Sequence, residues 1–222
     1  TDSLQNGDQV DAIVTDANGC LDTSSAIQTT VYALPSVSLA SSESDDAICR
    51  NDSIAFSASG AARYRFFLNG TQAQSGSASR FALDSLEDQE PVFAIGTDAN
   101  GCIDTTDSVT TRVFDLPTAG LSIDDPDSAF CASDTVAFTG TGGVGYAFRV
   151  EGNEAQNSTQ SRYTTDSLTD GARISVVATD ANGCRDTTSG LPVTVFALPD
   201  PSLAISEPDT ALCSGDTVAF TG

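Results

Sequence analysis

The sequence predicts an all-β chain made of tandem immunoglobulin-like β-sandwich repeats, each 82 residues long. Three observations carry that expectation. The string Thr-Asp-Ala-Asn-Gly-Cys recurs at 15–20, 97–102 and 179–184, and Leu-Pro follows at 34–35, 116–117 and 198–199, always at the same spacing. Short segments alternate apolar and polar residues between clusters of Gly, Asn and Asp, which is the period of half-buried strands and not of helices. Two cysteines stand at fixed places in each repeat: Cys49, Cys131 and Cys213 in one series, Cys20, Cys102 and Cys184 in the other. The register divides the chain into the C-terminal part of a repeat (1–35), two complete repeats (36–117 and 118–199) and the N-terminal part of a further one (200–222). Both ends fall inside a repeat, so the chain reads as a window on a longer array. A unit of about 80 residues is small but can bury a core of its own.

The elements of 118–199 follow in order. Thr135–Thr139 alternates with Val136 and Phe138 on one face. Tyr146–Val150 places Tyr146, Phe148 and Val150 together. Ile174, Val176 and Ala178 share a face in the next clear strand, and Thr194-Val195-Phe196 closes the unit. The matching positions in 36–117 are Ile54 and Phe56, then Tyr64, Phe66 and Leu68, then Val92, Ala94 and Gly96. These residues are expected to form one core per repeat. Phe93 and Phe114 also fall on strands and read as core. Asn18-Gly19, Asn100-Gly101 and Asn182-Gly183 tolerate positive φ and suit tight hairpins, as does Asn69-Gly70. Proline cannot continue a central strand, so each Leu-Pro is expected to be a short, stiff connector between modules of a semi-rigid rod.

Composition narrows the function classes. There are 31 acidic residues against nine arginines, with no lysine and no histidine, and the net charge is −22. Such a chain repels nucleic-acid phosphates and anionic lipid. No segment is apolar enough for membrane insertion. Without histidine, without lysine and without a Gly-x-Ser-x-Gly elbow, no serine has a base to activate it, and an enzyme seldom needs the same site every 82 residues. The modules are therefore not expected to be an enzyme. No Cys-x-x-Cys pair supports zinc or redox chemistry, whereas paired cysteines in small β units point to disulfides and an oxidising, extracellular compartment.

The pattern Cys-x-x-Asp-[Ser/Thr]-[Val/Ile]-Ala-Phe, an aromatic strand after it, and Thr-Asp-Ala-Asn-Gly-Cys-x-Asp-Thr together resemble the Ig-like/PKD-like repeats of giant Bacteroidota surface proteins. The resemblance covers the whole chain. It implies export by the type IX pathway and a role in adhesion, gliding or long cell-surface appendages. One departure is the absence of the usual tryptophan in the aromatic strand, where Phe66 and Phe148 stand instead.

Three kinds of candidate site remain. Acidic pairs in the turn read as lying between the first two strands (Glu43 and Asp45, Asp125 and Asp127, Glu207 and Asp209) offer oxygen ligands that would suit calcium. So do those flanking each Asn-Gly (Asp16 and Asp22, Asp98 and Asp104, Asp180 and Asp186). The alternative is ordinary turn chemistry. Asp-Ser/Thr triplets resemble the O-glycosylation signal of exported Bacteroidota proteins and mark Ser53, Ser85, Thr135, Ser167 and Thr217 as candidate acceptors. Asn-x-Ser/Thr also occurs at Asn51, Asn69 and Asn157 but means little in a bacterium.

The third kind is the cysteines. Cys131 precedes the second long strand and Cys184 lies in the last hairpin, at opposite poles of a sandwich whose strands span roughly 20 Å. Disulfide Cα atoms must approach within about 7 Å. This favours a bond across a junction, Cys49 to Cys184, which would also gather Glu43, Asp45, Asp180 and Asp186 at one joint. The within-module pairs, Cys49–Cys102 and Cys131–Cys184, and bonds between chains stay open. The expected function is a structural segment of an extracellular filament or bundle of several copies, used in adhesion or gripping. The alternatives are a carbohydrate- or protein-binding adhesin module and a spacer for a distant enzyme.

Overall fold

The computed structural model describes residues 3–206 and 211–221, and every regular element among them is a strand. The part-repeat at the start contributes β1 (Gln9–Val10), β2 (Ile13–Thr15), β3 (Leu21–Thr23) and β4 (Ile27–Gln28), paired β1 with β4 and β2 with β3. The first complete repeat holds ten strands. They are β5 (Ser38–Ser41), β6 (Ala47–Cys49), β7 (Ile54–Ser59), β8 (Arg63–Leu68), β9 (Thr71–Gly76), β10 (Arg80–Leu83), β11 (Pro91–Thr97), β12 (Ile103–Thr105), β13 (Val109–Thr110) and β14 (Arg112–Phe114). The second repeats them one for one. Its strands are β15 (Gly120–Ile123), β16 (Ala129–Cys131), β17 (Val136–Thr141), β18 (Gly145–Val150), β19 (Asn153–Ser158), β20 (Arg162–Thr165), β21 (Arg173–Thr179), β22 (Arg185–Thr187), β23 (Leu191–Pro192) and β24 (Thr194–Phe196). The final part-repeat shows β25 (Ala204–Ile205) and β26 (Phe220–Thr221). The chain divides into two compact units, Thr1–Asp115 and Leu116–Gly222.

Each complete repeat is a two-sheet sandwich. In the first, a three-stranded sheet runs β10-β7-β5 and a larger one runs β12-β11-β8-β9, with β13 also on β11. The second sheet pair, β20-β17-β15 and β22-β21-β18-β19 with β23, has the same order. All these neighbours are antiparallel. One pairing in each repeat is not: β14 runs parallel to β6, and β24 parallel to β16. The last strand therefore lies first against β11 and then against β6, which closes the sandwich along one side. An earlier break, between β12 and β13 and between β22 and β23, holds Thr106 and Thr188. Their Oγ1 atoms accept from the N–H of Ala94 and Val176 at 3.0 Å, so a side chain stands in where the ladder breaks.

The expected core is present. Val136, Phe138, Tyr146, Phe148, Ile174 and Val176 are all buried and belong to one cluster. Ile54, Phe56, Tyr64, Phe66, Val92 and Ala94 form its counterpart. Two aromatics depart from the expectation. Phe93 lies between the buried Val92 and Ala94, so the strand period turns it outward, where its ring stacks on Phe67. Phe114 is only half-buried, with the Arg112 guanidinium over its ring at 4.7 Å.

The turns need correction. Asn69 and Gly70 both take positive φ, 47° and 75°, as a two-residue hairpin requires. In the Thr-Asp-Ala-Asn-Gly-Cys turns only the glycine does, with φ 83° at Gly19 and 89° at Gly101 and Gly183. The aspartate sets their shape instead. Oδ1 of Asp98 accepts from the N–H of Asn100 and of Cys102, both at 2.8 Å, while Gly101 N–H donates to Asp98 O. That is a type I turn closed by a left-handed glycine, a longer loop than the asparagine-glycine pair alone suggests.

Candidate functional site

The cysteines differ in state. Cys20, Cys102, Cys131 and Cys213 carry free thiols, whereas Cys49 and Cys184 are disulfide-bonded. The within-module pairs Cys49–Cys102 and Cys131–Cys184 are therefore not formed, since each needs a sulfur that is free. Cys49 ends β6, the parallel strand. Cys184 closes an Asp-anchored hairpin, donating its N–H to Asp180 Oδ1 at 2.8 Å, and is 1% exposed.

Each cysteine of the first series opens a tight turn. Asp52 N–H donates to Cys49 O at 3.0 Å and Asp134 N–H to Cys131 O at 3.1 Å. The third residue is left-handed: φ is 71° at Asn51 and Ser133, and 100° at Gly215. This is the geometry of a type II turn. At Cys131 the aspartate returns the contact, its Oδ2 accepting the Cys131 N–H at 3.1 Å, and Asp216 does the same for Cys213 at 2.7 Å. The Cys-x-x-Asp spacing was in the sequence. Its meaning as a turn was legible only from the asparagine, serine and glycine that share its third place.

Glu43, Asp45, Asp125 and Asp127 lie between β5 and β6 and between β15 and β16. The strand that pairs with the three-stranded sheet crosses there to the other edge. Asp125 Oδ1 accepts from Asp127 N–H at 3.3 Å and Ala129 N–H at 3.5 Å. Asp45 Oδ1 accepts from Ala47 N–H at 3.3 Å. In the first Asn-Gly turn the Asp16 Oδ1 accepts from the N–H of Cys20 at 2.8 Å and of Asn18 at 2.9 Å, and these backbone bonds lower its pKa from 3.8. Asp180 is taken up by the hairpin. Asp186 accepts from Ala119 N–H at 2.9 Å and from Thr187 N–H at 2.8 Å. Glu207 and Asp209 lie outside the described residues. Among the described residues no three acidic or cysteine side chains converge as a metal centre requires. These carboxylates fold the turns that hold them.

All five glycan candidates, Ser53, Ser85, Thr135, Ser167 and Thr217, are exposed. Ser85 sits beside Leu86, which is 4% exposed and anchors the loop before β11 in the core. Among the described residues no helix is long and apolar enough to cross a membrane.

No protein-family model matches the chain, and no curated protein matches it either. Solved structures with a similar fold exist. The fibronectin(III)-like modules of CbhA from Clostridium thermocellum superpose at a TM-score of 0.45 with 14% identity, over 73% of this chain and 95% of that one. Murine CEACAM1b superposes at 0.36 with 9% identity, over 72% and 100%. The amphioxus IgVJ-C2 molecule superposes at 0.29 with 12% identity, over 67% and 99%. The chain is an all-β protein of immunoglobulin-like sandwiches. The two-sheet strand order and the single core in each complete repeat define that fold.

Proposed function

We propose that the chain is a load-bearing stretch of a long extracellular filament or surface appendage used to adhere to or grip surfaces or other cells. Its successive repeats are joined by a disulfide between Cys49 and Cys184. The observation that carries the reading is the state of the six cysteines: those two are bonded while Cys20, Cys102, Cys131 and Cys213 are free. Cys49 belongs to the first complete repeat and Cys184 to the second, so such a bond ties neighbours and not the two sheets of one sandwich.

Its consequence is mechanical. The 136 residues from Cys49 to Cys184 contain the strands from β7 to β21. Tension entering through β5 and leaving through β25 passes through the sulfur bridge and bypasses the strands enclosed between the two cysteines. The same rule applied through a longer array gives overlapping bridges, each spanning most of two repeats. Closing so long a loop also stabilises the folded state by about 4–5 kcal/mol in the chain-entropy account. Acidic turns keep the fibre solvated, and the exposed hydroxyls in Asp-Ser/Thr triplets suit glycan attachment.

Non-reducing peptide mapping is the test, paired with single-molecule stretching. A Cys49–Cys184 peptide is expected, and the intact chain should release roughly 450 Å less contour on forced unfolding than the reduced chain. A Cys49–Cys102 or Cys131–Cys184 peptide, or equal contour lengths in the two states, would overturn the reading.

A further inference from the structure

Charge is not spread evenly over this chain. Eight of the nine arginines lie in strands, whereas only Asp22, Asp104, Glu154 and Asp186 among the described acids do. The extreme case is the first complete repeat. Between Asp52 and Asp84 there is no acidic residue, while Arg63, Arg65 and Arg80 all fall there. The matching span of the second repeat, 135–165, balances Arg149 and Arg162 against Glu151 and Glu154. A local charge of +3 thus stands in a chain of −22.

The fold gives that charge a shape. Phe66, Val92 and Ala94 point into the core, so the alternation of β8 and β11 turns Arg63, Arg65, Phe67, Phe93 and Ile95 to the outer face of the larger sheet. Phe67 and Phe93 are cross-strand partners whose rings stack at 4.8 Å with 2° between planes, and neither belongs to the core cluster. Ile103 on the adjoining β12 is 49% exposed. Beside the rings, Arg63, Arg65 and Ser75 line a hollow of about 250 Å³. Both arginines are exposed, and among the described residues the ion pairs engage only Arg50 and Arg162. The second repeat folds the same way with Gly145, Ala147, Arg149 and Ser175 at the places of Arg63, Arg65, Phe67 and Phe93. The sandwich therefore does not require the patch.

We infer that this face is a docking surface for a second copy of the chain, which it grips by an acidic turn. The inference rests on the fibre reading and names the partner within it. Charge complementarity selects the occupant. The unpaired arginines need carboxylates, and the chain presents exposed ones on its turns, Glu43 and Asp45 between β5 and β6 and Asp127 between β15 and β16. Pro126 gives the second turn an apolar surface to lay against the phenyl pair. Two copies side by side in register would set like against like. A turn-to-face contact staggers them, so the bundle grows by overlap along its length.

The test is sedimentation velocity of the 222-residue chain across a concentration series, in 20 mM and 500 mM NaCl, with Arg63→Gly/Arg65→Ala and Phe93→Ser alongside. Each substitution installs the residue that the second repeat already carries, and thermal melts check that folding is kept. Self-association at low salt is expected, weakened at least tenfold by either variant and by the higher salt. If the chain associates but neither variant weakens it, the face is wrong while the fibre reading stands. If the chain stays monomeric at every concentration, both fail. If it stays monomeric yet is retained on immobilised polygalacturonate through Arg63 and Arg65, the occupant is an anionic glycan and the second copy is ruled out.

Discussion

Thr111 and Val193 occupy the same place in the two complete repeats, and the comparison isolates one oxygen atom. Both are buried, at 0% and 3% exposure, but the Thr111 hydroxyl oxygen has no hydrogen-bond partner. An unsatisfied buried polar atom costs about 1–3 kcal/mol, and valine has the same shape without it. Thr111→Val is expected to raise stability by roughly 1 kcal/mol, read as a shift in the urea midpoint at constant slope. Small residues trade volume in the same way. A Cβ on Gly96 would meet Val37 at 2.5 Å and Ala61 at 2.7 Å; the second repeat has Ala178 there, with Ala119 and Gly143 opposite. Gly142 allows no such trade. Its φ is 94°, and an added Cβ would come within 1.9 Å of Thr118 O. Gly142→Ala should cost about 1–3 kcal/mol in backbone strain and a similar amount in displaced chain. Phe148→Ala, at a fully buried position, should cost roughly 3–5 kcal/mol. Chemical denaturation that leaves either variant at wild-type stability would refute these assignments.

At the scale of elements, the turns carry most of what distinguishes this sandwich. Ser133 holds φ 71° where the following repeat has Gly215, so a side chain is forced into a conformation that glycine adopts without penalty. Ser133→Gly is expected to stabilise by about 0.5–1 kcal/mol, visible as a higher melting temperature. The turn between β2 and β3 depends on pH. Asp16 has a folded-state pKa below 3.8, through the Cys20 N–H first and the Asn18 N–H after it. A depressed carboxylate contributes stability above its unfolded pKa and loses it as pH falls through the folded value. The turn should therefore hold at neutral pH and loosen below about pH 4. Carboxyl chemical shifts of Asp16 across an acid titration measure this directly, and a midpoint above the ordinary aspartate value would contradict it.

Over the whole molecule, a net charge of −22 sets a repulsion that folding must overcome. Among the described residues the ion pairs are exposed, Arg50 with Glu87 and Asp115 and Arg162 with Asp124, and such pairs contribute little. Screening should therefore stabilise the chain: its melting temperature is expected to rise as salt increases from 10 to 150 mM, where the Debye length falls from about 30 to about 8 Å. A flat or falling trend in calorimetry would show that the repulsion is already relieved in the fold. The segregation of arginines to strands and acids to turns supplies a further reason for ionic strength to matter, since it bears on association as well as on folding.

The sequence by itself determined the repeat length, the β class, the two-cysteine rhythm and the inward set from Val136 to Val176. Each of these follows from periodicity, which needs no knowledge of what packs where. It could not assign Phe93, because an apolar residue inside an apolar strand has no local mark of which face it takes; only the buried neighbours Val92 and Ala94 fix it. Nor could it show that Asp98 and Asp180 spend their oxygens on backbone N–H groups, or that the last strand turns parallel to β6 and β16. The parallel pairing joins residues far apart in sequence, whereas the aspartate bonds span only two to four residues and depend on the backbone shape that the loop takes between its two strands. The tertiary structure decided the pairing and the face because each is a property of two segments brought together, and the local pattern describes only one.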